Sequence, residues 1–172
     1  MEYGLIAERL GHSFSKEIHA RLADYDYELK ELKTLEELDR FMRKKAFKAI
    51  NVTIPYKEAV IPYLDKIDPI AAQIGAVNTI VNDGGRLLGY NTDFAGMKAM
   101  CENSEIVMNG KKVLILGSGG TSKTSLAVAK AMGAREIYQV SRRKTNATVT
   151  YEEAYELHND AEVVINTTPC GM

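Results

Sequence analysis

The chain has 172 residues, of which 45% are hydrophobic and 26% charged, and its formal net charge is −1. These values are ordinary for a globular protein and favour attraction neither to nucleic acid nor to a membrane surface. The two cysteines, Cys101 and Cys170, form no metal-binding motif, so neither a disulfide framework nor a metal site is expected. The chain enters an apolar strand directly and has no apolar run near the ~18 residues of a membrane span, which predicts a cytoplasmic protein.

Predicted strands and helices alternate along the chain, which is typical of an α/β fold. Thr34 and Glu37 have the spacing of a capping box, and Asp83-Gly84-Gly85 predicts a tight hairpin turn. In the first part of the chain we expect strands at 3–7, 25–32, 48–52, 76–82 and 86–90. Helices are predicted at 15–23, after Thr34, before a break at Pro62, after Pro69, and at 93–103.

A polar break at 103–105 places a predicted domain boundary there, so that the domains are 1–104 and 105–172. The second part predicts strands at 113–116, 136–140 and 163–166. Helices are expected at 121–132 and after Thr150, which with Glu153 has capping-box spacing. The order β-α-β-α-β is that of one mononucleotide-binding half of a doubly wound, Rossmann-type domain.

A glycine-rich turn joins the first strand and helix of the second domain. Its glycines allow a tight turn and a close backbone approach, and the helix N-terminus favours a phosphate group. The alternative is a glycine-rich turn without a ligand. The predicted pyrophosphate-binding residues are Gly117, Ser118, Gly119, Gly120 and Thr121, followed by Ser122 as the small residue that lets the helix pack on the strand.

The end of the next strand indicates which dinucleotide would bind. NAD sites carry an acidic residue there for the ribose 2′-hydroxyl, whereas this chain has Ser141, Arg142 and Arg143. A guanidinium group binds a 2′-phosphate through paired hydrogen bonds, so the sequence predicts NADP. The alternative is a pair of solvated arginines in an ordinary loop.

Asn51 to Lys57 read Asn-Val-Thr-Ile-Pro-Tyr-Lys, in which Pro55 requires a turn after a strand. This segment resembles the NVTxPxK motif of the shikimate dehydrogenase family. Segments resembling other family motifs occur in family order at 11–15, 75–79, 89–93 and 166–172, together with the glycine turn. Lys16, Ala20, Ser141 and Arg143 depart from the family pattern. The resemblance extends over nearly the whole chain and implies an N-terminal mixed-sheet substrate domain.

The resemblance implies a substrate site and a catalytic pair, Lys57 with Asp93. The implied substrate-binding residues are Ser13, Ser15, Thr53, Lys57, Asn78 and Asp93. Three of these have ordinary alternatives: Ser15 could cap its helix, Asp93 could be a helix N-cap, and Asn78 could be a plain strand residue. No histidine is assigned to catalysis.

The implied activity is the NADP-dependent reduction of 3-dehydroshikimate to shikimate, in aromatic amino-acid biosynthesis. Lys57 would protonate the developing alkoxide in that direction. Family members continue beyond the segment at 166–172, so we expect a C-terminally truncated chain that could be inactive alone. It could also act as a homo-oligomer or with a completing chain. The alternatives are a non-catalytic remnant that binds shikimate or NADP and a quinate/shikimate dehydrogenase of the same fold.

Overall fold

The computed structural model describes residues 1–11 and 13–170. The chain forms two compact units, Met1–Thr92 and Asp93–Met172. The predicted fold class, an α/β protein with a mixed sheet followed by a partial Rossmann-type sheet, is confirmed.

The first unit is built around a six-stranded mixed sheet. Strand β1 is parallel to β2 and β3, whereas β5 is antiparallel to its neighbours β3 and β6. The strand order is β2-β1-β3-β5-β6-β4. The elements are β1 Tyr3–Ala7, α1 Ser15–Leu22, β2 Tyr27–Glu31, α2 Leu35–Lys44, β3 Ala49–Val52, a 3-10 helix Ile61–Tyr63, β4 Lys66–Ile67, α3 Pro69–Ile74, β5 Thr79–Asp83 and β6 Arg86–Tyr90.

Two local predictions for this unit have different outcomes. The Thr34 side chain accepts the Glu37 N–H and so caps α2, as its spacing predicts. The predicted helix before Pro62 is instead a series of turns that ends in the 3-10 helix.

One face of the sheet packs against α2, where Leu38 and Met42 are buried, and against α3. Helix α1 has no buried residue.

The second unit contains a four-stranded parallel sheet in the order β10-β7-β8-β9. Strand β10 lies on the opposite side of β7 from β8, so the strand order reverses between β7 and β10. Ligands of open α/β sheets bind at such a switch point. The elements are α4 Thr92–Asn103, β7 Lys112–Leu116, α5 Gly120–Ala131, β8 Glu136–Val140, β9 Thr148–Val149, α6 Tyr151–Leu157 and β10 Val163–Asn166.

Helix α4 belongs to the second unit because its apolar residues pack against strand β7 of that unit. Cys101 is buried with Met108, Val113 and Ile115, and Met97 packs against the same cluster. The first unit therefore ends at Thr92, the first residue of this helix, whereas the sequence prediction placed the boundary after the helix, near residue 104. The assignment of functional domains at 1–104 and 105–172 stays a prediction.

An ion cluster lies where β7 and β8 begin, at the end of the parallel sheet opposite the glycine turn. The Lys112 side chain is 10% exposed, and its Nζ lies 2.8 Å from an Asp160 oxygen and 3.7 Å from a Glu136 oxygen. The hydrogen bond from Lys112 lowers the pKa of Asp160. The pKa of Glu136 is lowered chiefly by the hydrogen bond from Arg135 and to a smaller extent by the hydrogen bond from Tyr138.

This cluster predicts acid sensitivity of the second unit. A carboxyl group whose pKa is lower in the folded state stabilises the fold above its unfolded pKa, about 3.9 for Asp, and that contribution is lost as the pH falls through the folded pKa. We expect Asp160→Asn to lower the melting temperature at neutral pH. The same variant should lose less of its melting temperature than the wild type between about pH 6 and about pH 3.

Asp26→Asn is the matched control for this measurement, because Asp26 is an exposed aspartate outside the cluster and outside any helix. Its melting temperature should follow that of the wild type at every pH. An Asp160→Asn variant with an unchanged pH profile would show that the cluster does not contribute to acid unfolding.

Candidate functional site

One edge of the first sheet collects several strand ends. Strands β1, β3 and β6 run in the same direction and finish there, and the antiparallel β5 begins there. The segments that carry five predicted site residues leave or enter the sheet at this edge: Ser13, Ser15, Thr53, Lys57 and Asn78.

The turn after β3 is hydrogen-bonded to the segment that precedes β5. Val52 N–H donates to the Asn78 carbonyl at 2.8 Å, and Val77 N–H donates to the Lys57 carbonyl at 2.8 Å. The structure therefore brings Lys57 and Asn78 onto neighbouring, mutually bonded segments, with Thr53 at the start of the turn. The peptide bond between Ile54 and Pro55, within this turn, is cis.

The Asn78 side chain is 7% exposed, and its amide is held by two threonines. Asn78 Oδ1 accepts the Thr92 N–H at 2.9 Å and the Thr79 hydroxyl at 3.1 Å, while Nδ2 donates to Thr92 Oγ1 at 3.0 Å. These bonds fix the plane of the amide. The alternative of a plain strand residue is wrong, since Asn78 precedes β5 and its side chain bonds Thr92, the last residue of the first unit.

The same network continues behind the site to an aromatic cluster. Asn51 Nδ2 donates to Thr79 Oγ1 at 3.1 Å, and Tyr27 donates its hydroxyl proton to Asn51 Oδ1 at 2.7 Å. The His19 ring stacks on Tyr27 with centroids 3.8 Å apart, and its Nδ1 is hydrogen-bonded to the Tyr25 hydroxyl. Burial raises the pKa of Tyr27 to about 12 and lowers the pKa of His19. His19 is thus part of a packed cluster.

We expect Tyr27→Phe to lower the free energy of unfolding by about 1 to 3 kcal/mol, because it leaves the Asn51 oxygen without its buried donor. Denaturant unfolding followed by far-UV circular dichroism measures this loss. Tyr63→Phe is the control, since the Tyr63 hydroxyl bonds the partly exposed Asp39 at 3.0 Å and water can replace it. Equal losses in the two variants would show that the Tyr27 hydroxyl has no special structural role.

The serine segment precedes α1. The helix begins at Ser15 and its N-cap position is Phe14, which offers no side-chain cap. The Ser13 hydroxyl accepts the Ser15 N–H at 3.3 Å. The alternative in which Ser15 caps the helix is therefore wrong, because Ser15 is already helical. His12, from the same motif, lies outside the described residues.

Asp93 directly follows Thr92 in the chain and lies in the first turn of α4. Because the helix begins at Thr92, Asp93 is its second residue, and the alternative of an N-cap is wrong. The binding and catalytic roles of Asp93, Lys57, Thr53 and the two serines stay predictions.

The glycine turn of the second unit connects the end of β7 to α5. Gly117 has a φ of 110°, in the left-handed region that favours glycine, and a Cβ there would lie 2.6 Å from Thr167 Oγ1. Gly119 is the N-cap of α5 and has no side-chain cap, and a Cβ built on it would meet no atom within 4 Å. Gly120 and Thr121 form the first turn of the helix, and Ser118 is exposed. The turn thus presents open backbone at a helix N-terminus, which suits a pyrophosphate.

Ser141, Arg142 and Arg143 follow β8 at the same edge of the parallel sheet. Gly117 N–H donates to the Val140 carbonyl at 2.8 Å, so the glycine turn and the end of β8 are adjacent. Both arginines are exposed, and the Ser141 hydroxyl accepts the Arg143 N–H at 3.4 Å. No acidic residue stands at this strand end, and guanidinium groups are available for a phosphate.

The segment after β10 lies beside the glycine turn. Thr167 N–H donates to the Leu116 carbonyl at 2.9 Å. Asn166 fixes the loop, since its Oδ1 accepts the Thr168 N–H at 3.0 Å and its Nδ2 donates to the Cys170 carbonyl at 2.9 Å. Gly171 and Met172 of this motif lie outside the described residues.

Residues 1–11 and 13–170 contain no group of three or more His, Cys, Asp or Glu side chains that could hold a metal ion. Within the same residues, every helix is too short or too polar to cross a membrane.

Comparison with known proteins gives consistent matches. Residues 5–80 match the shikimate dehydrogenase substrate-binding domain. A relative from Halothermothrix orenii, named shikimate dehydrogenase (NADP(+)), is 41% identical to this chain. The match covers 98% of this chain and 68% of the relative. Shikimate dehydrogenase 1 of Peptoclostridium difficile superposes with a TM-score of 0.89 at 37% identity, over 100% of this chain and 68% of that chain. The Thermus thermophilus enzyme, solved with NADP(H) and shikimate, gives a TM-score of 0.84 at 29% identity, over 98% and 68%.

Together with these matches, a mixed-sheet unit followed by a parallel sheet with a glycine turn places the chain in the class of NADP-dependent α/β oxidoreductases. The chain spans about two thirds of the length of the relatives it matches. The chain belongs to the shikimate dehydrogenase family.

Proposed function

We propose that this chain supplies the substrate site and the first part of the cofactor site of an NADP-dependent enzyme that reduces 3-dehydroshikimate to shikimate, in aromatic amino-acid biosynthesis. The observation that carries the proposal is the shared sheet edge of the first unit, at which the serine segment and the Thr53–Lys57 turn leave the sheet and the segment with Asn78 enters it. Family membership supports the same reaction.

NADP is the proposed cofactor. The open backbone at Gly119 suits the pyrophosphate, and Arg142 and Arg143 suit the 2′-phosphate. The NADP(+)-specific names of the relatives agree with this choice. The bound nicotinamide would supply the hydride that reduces the ketone carbon.

The side chains of the chain then have three tasks in the proposed reaction. Ser13 and Ser15 would donate hydrogen bonds from their hydroxyl groups to the substrate carboxylate. Asn78, whose amide is already held by Thr92, would position a ring hydroxyl with Thr53 and Asp93. Lys57 would donate a proton to the substrate oxygen as negative charge develops on it, which is general acid catalysis.

The proposal is tested with the purified chain by following NADPH absorbance with 3-dehydroshikimate, and NADP+ reduction with shikimate or quinate. Turnover with shikimate and not with quinate supports the proposed substrate. A preference for quinate favours a quinate/shikimate dehydrogenase. Ligand titrations by calorimetry accompany the assay, because a native-state ligand also raises the melting temperature.

Binding of shikimate or NADP+ without turnover would favour a non-catalytic binding protein, the second candidate. A chain that shows no binding of these ligands and no turnover would contradict the proposal. The chain's mass in solution tests whether it forms a homo-oligomer or needs a completing chain, and both of these, like a cytoplasmic location, stay predictions.

A further inference from the structure

A polar pair lies beneath the first turn of α5, on a face of the sheet that is otherwise apolar. Gln139 projects from β8, where it is the register partner of Ile115. Its Nε2 donates to Ser122 Oγ at 3.1 Å. Ser122 has no exposed surface, and its hydroxyl donates to the Gly119 carbonyl at 2.6 Å. Strand β8 is thereby connected to the glycine turn through two side-chain hydrogen bonds in series.

The direction of the two bonds is set by the groups involved. An amide NH2 can only donate, so the Ser122 oxygen accepts from Gln139, and its single proton is directed to the Gly119 carbonyl. The Ser122 N–H also donates to this carbonyl, at 3.1 Å. The Lys123 N–H donates to it as well, at 3.4 Å. The bond from the Ser122 hydroxyl is the shortest of the three and adds to two backbone bonds that direct the carbonyl toward the helix.

The orientation of the Gly119 carbonyl determines the orientation of the next N–H group. The C=O of Gly119 and the N–H of Gly120 belong to one planar trans peptide and point in opposite directions. Fixing the carbonyl toward the helix therefore fixes the Gly120 N–H away from it, toward the side where a phosphate would bind. That N–H makes no hydrogen bond within the described part of the chain.

We infer that Gln139 and Ser122 are positioning residues that set the direction of the Gly120 N–H for the dinucleotide pyrophosphate. The inference rests on the proposed NADP-dependent function and adds a residue from the middle of the sheet to the cofactor site. Gly119 lacks a side chain that could hold its own peptide, and the Gln139–Ser122 pair adds a side-chain restraint to the two backbone hydrogen bonds of its carbonyl.

The test compares the affinities of two ligands for Gln139→Leu, Ser122→Ala and the double variant, measured by calorimetry on the whole chain. NADP+ contacts the glycine turn through its pyrophosphate, whereas adenosine 2′-monophosphate lacks a pyrophosphate. We expect each single variant to bind NADP+ about threefold to tenfold more weakly, the equivalent of one hydrogen bond. The affinity for adenosine 2′-monophosphate should not change.

The double variant should bind NADP+ no more weakly than the weaker single variant, because the two side chains act in series. Ser125→Ala is the matched control: Ser125 is fully buried in the same helix and its hydroxyl donates to the Thr121 carbonyl at 3.1 Å. It should retain NADP+ affinity even if its melting temperature falls. If Gln139→Leu does not fold, Gln139→Met, with its unbranched side chain of similar length, replaces it.

Three results would overturn the inference while leaving the proposed function standing. They are unchanged NADP+ affinity in folded Gln139 and Ser122 variants, an equal loss for both ligands, and an equal loss in Ser125→Ala. A wild-type chain that binds no NADP+ would instead overturn the proposed function, and the inference with it.

Discussion

Lys57→Met is expected to lower kcat by about 10²–10⁴, the usual range for removal of a general acid–base group. Methionine keeps an unbranched side chain of similar length but cannot donate a proton. The dissociation constants of shikimate and NADP+ should change little, because the other proposed binding groups remain. Steady-state NADPH oxidation with 3-dehydroshikimate gives kcat, and calorimetry gives the dissociation constants.

Lys66→Met is the control for this substitution, since Lys66 is an exposed lysine of β4 in the same unit. It should retain wild-type kcat. Turnover near the wild-type value in Lys57→Met would remove Lys57 from the mechanism. A loss confined to substrate affinity would make Lys57 a binding residue only.

The double substitution Arg142→Ser and Arg143→Ser is expected to weaken NADP+ binding by roughly tenfold to a hundredfold, the equivalent of one charge-assisted hydrogen bond of about 1.5 to 3 kcal/mol to the 2′-phosphate. NAD+ affinity should be nearly unchanged, since NAD+ has no 2′-phosphate. The ratio of the two dissociation constants, measured at one fixed salt concentration, is the decisive quantity.

Arg135→Ser is the matched control, because Arg135 precedes β8 at the other end of that strand and pairs with Glu136 at 3.1 Å. It should leave both affinities unchanged. An equal loss of NAD+ and NADP+ affinity in the Arg142 and Arg143 variant would indicate a general effect on the loop and would contradict 2′-phosphate recognition.

Local signals in the sequence were sufficient for most elements. The first strand has its predicted bounds, Tyr3–Ala7, because its apolar residues are continuous. The capping box at Thr150 forms as predicted, with Glu153 in the reciprocal bond. The Asp83-Gly84-Gly85 turn has positive φ at both glycines and joins β5 to β6. These features depend only on neighbours a few residues apart.

Features that depend on distant segments could not be predicted. Strands β4 and β9 have two residues each, too few for a periodic pattern. The hydrogen bonds of Tyr27 to Asn51 and of Gln139 to Ser122 join residues 24 and 17 positions apart, so they require the sheet register to be known. A polar residue within an apolar strand, such as Gln139, is the signal that the sequence offers for such a hydrogen bond. It does not show which residue is the hydrogen-bond partner.

The parallel sheet has a consequence for how cofactor choice can change. Helix α5 packs with Val113 and Ile115 on one face, while α6 packs with Leu114 and Val140 on the other. The exposed Arg142 and Arg143 contribute to neither apolar cluster. Exchange of one dinucleotide for another can therefore proceed by replacing loop residues, with little effect on the folding of the domain.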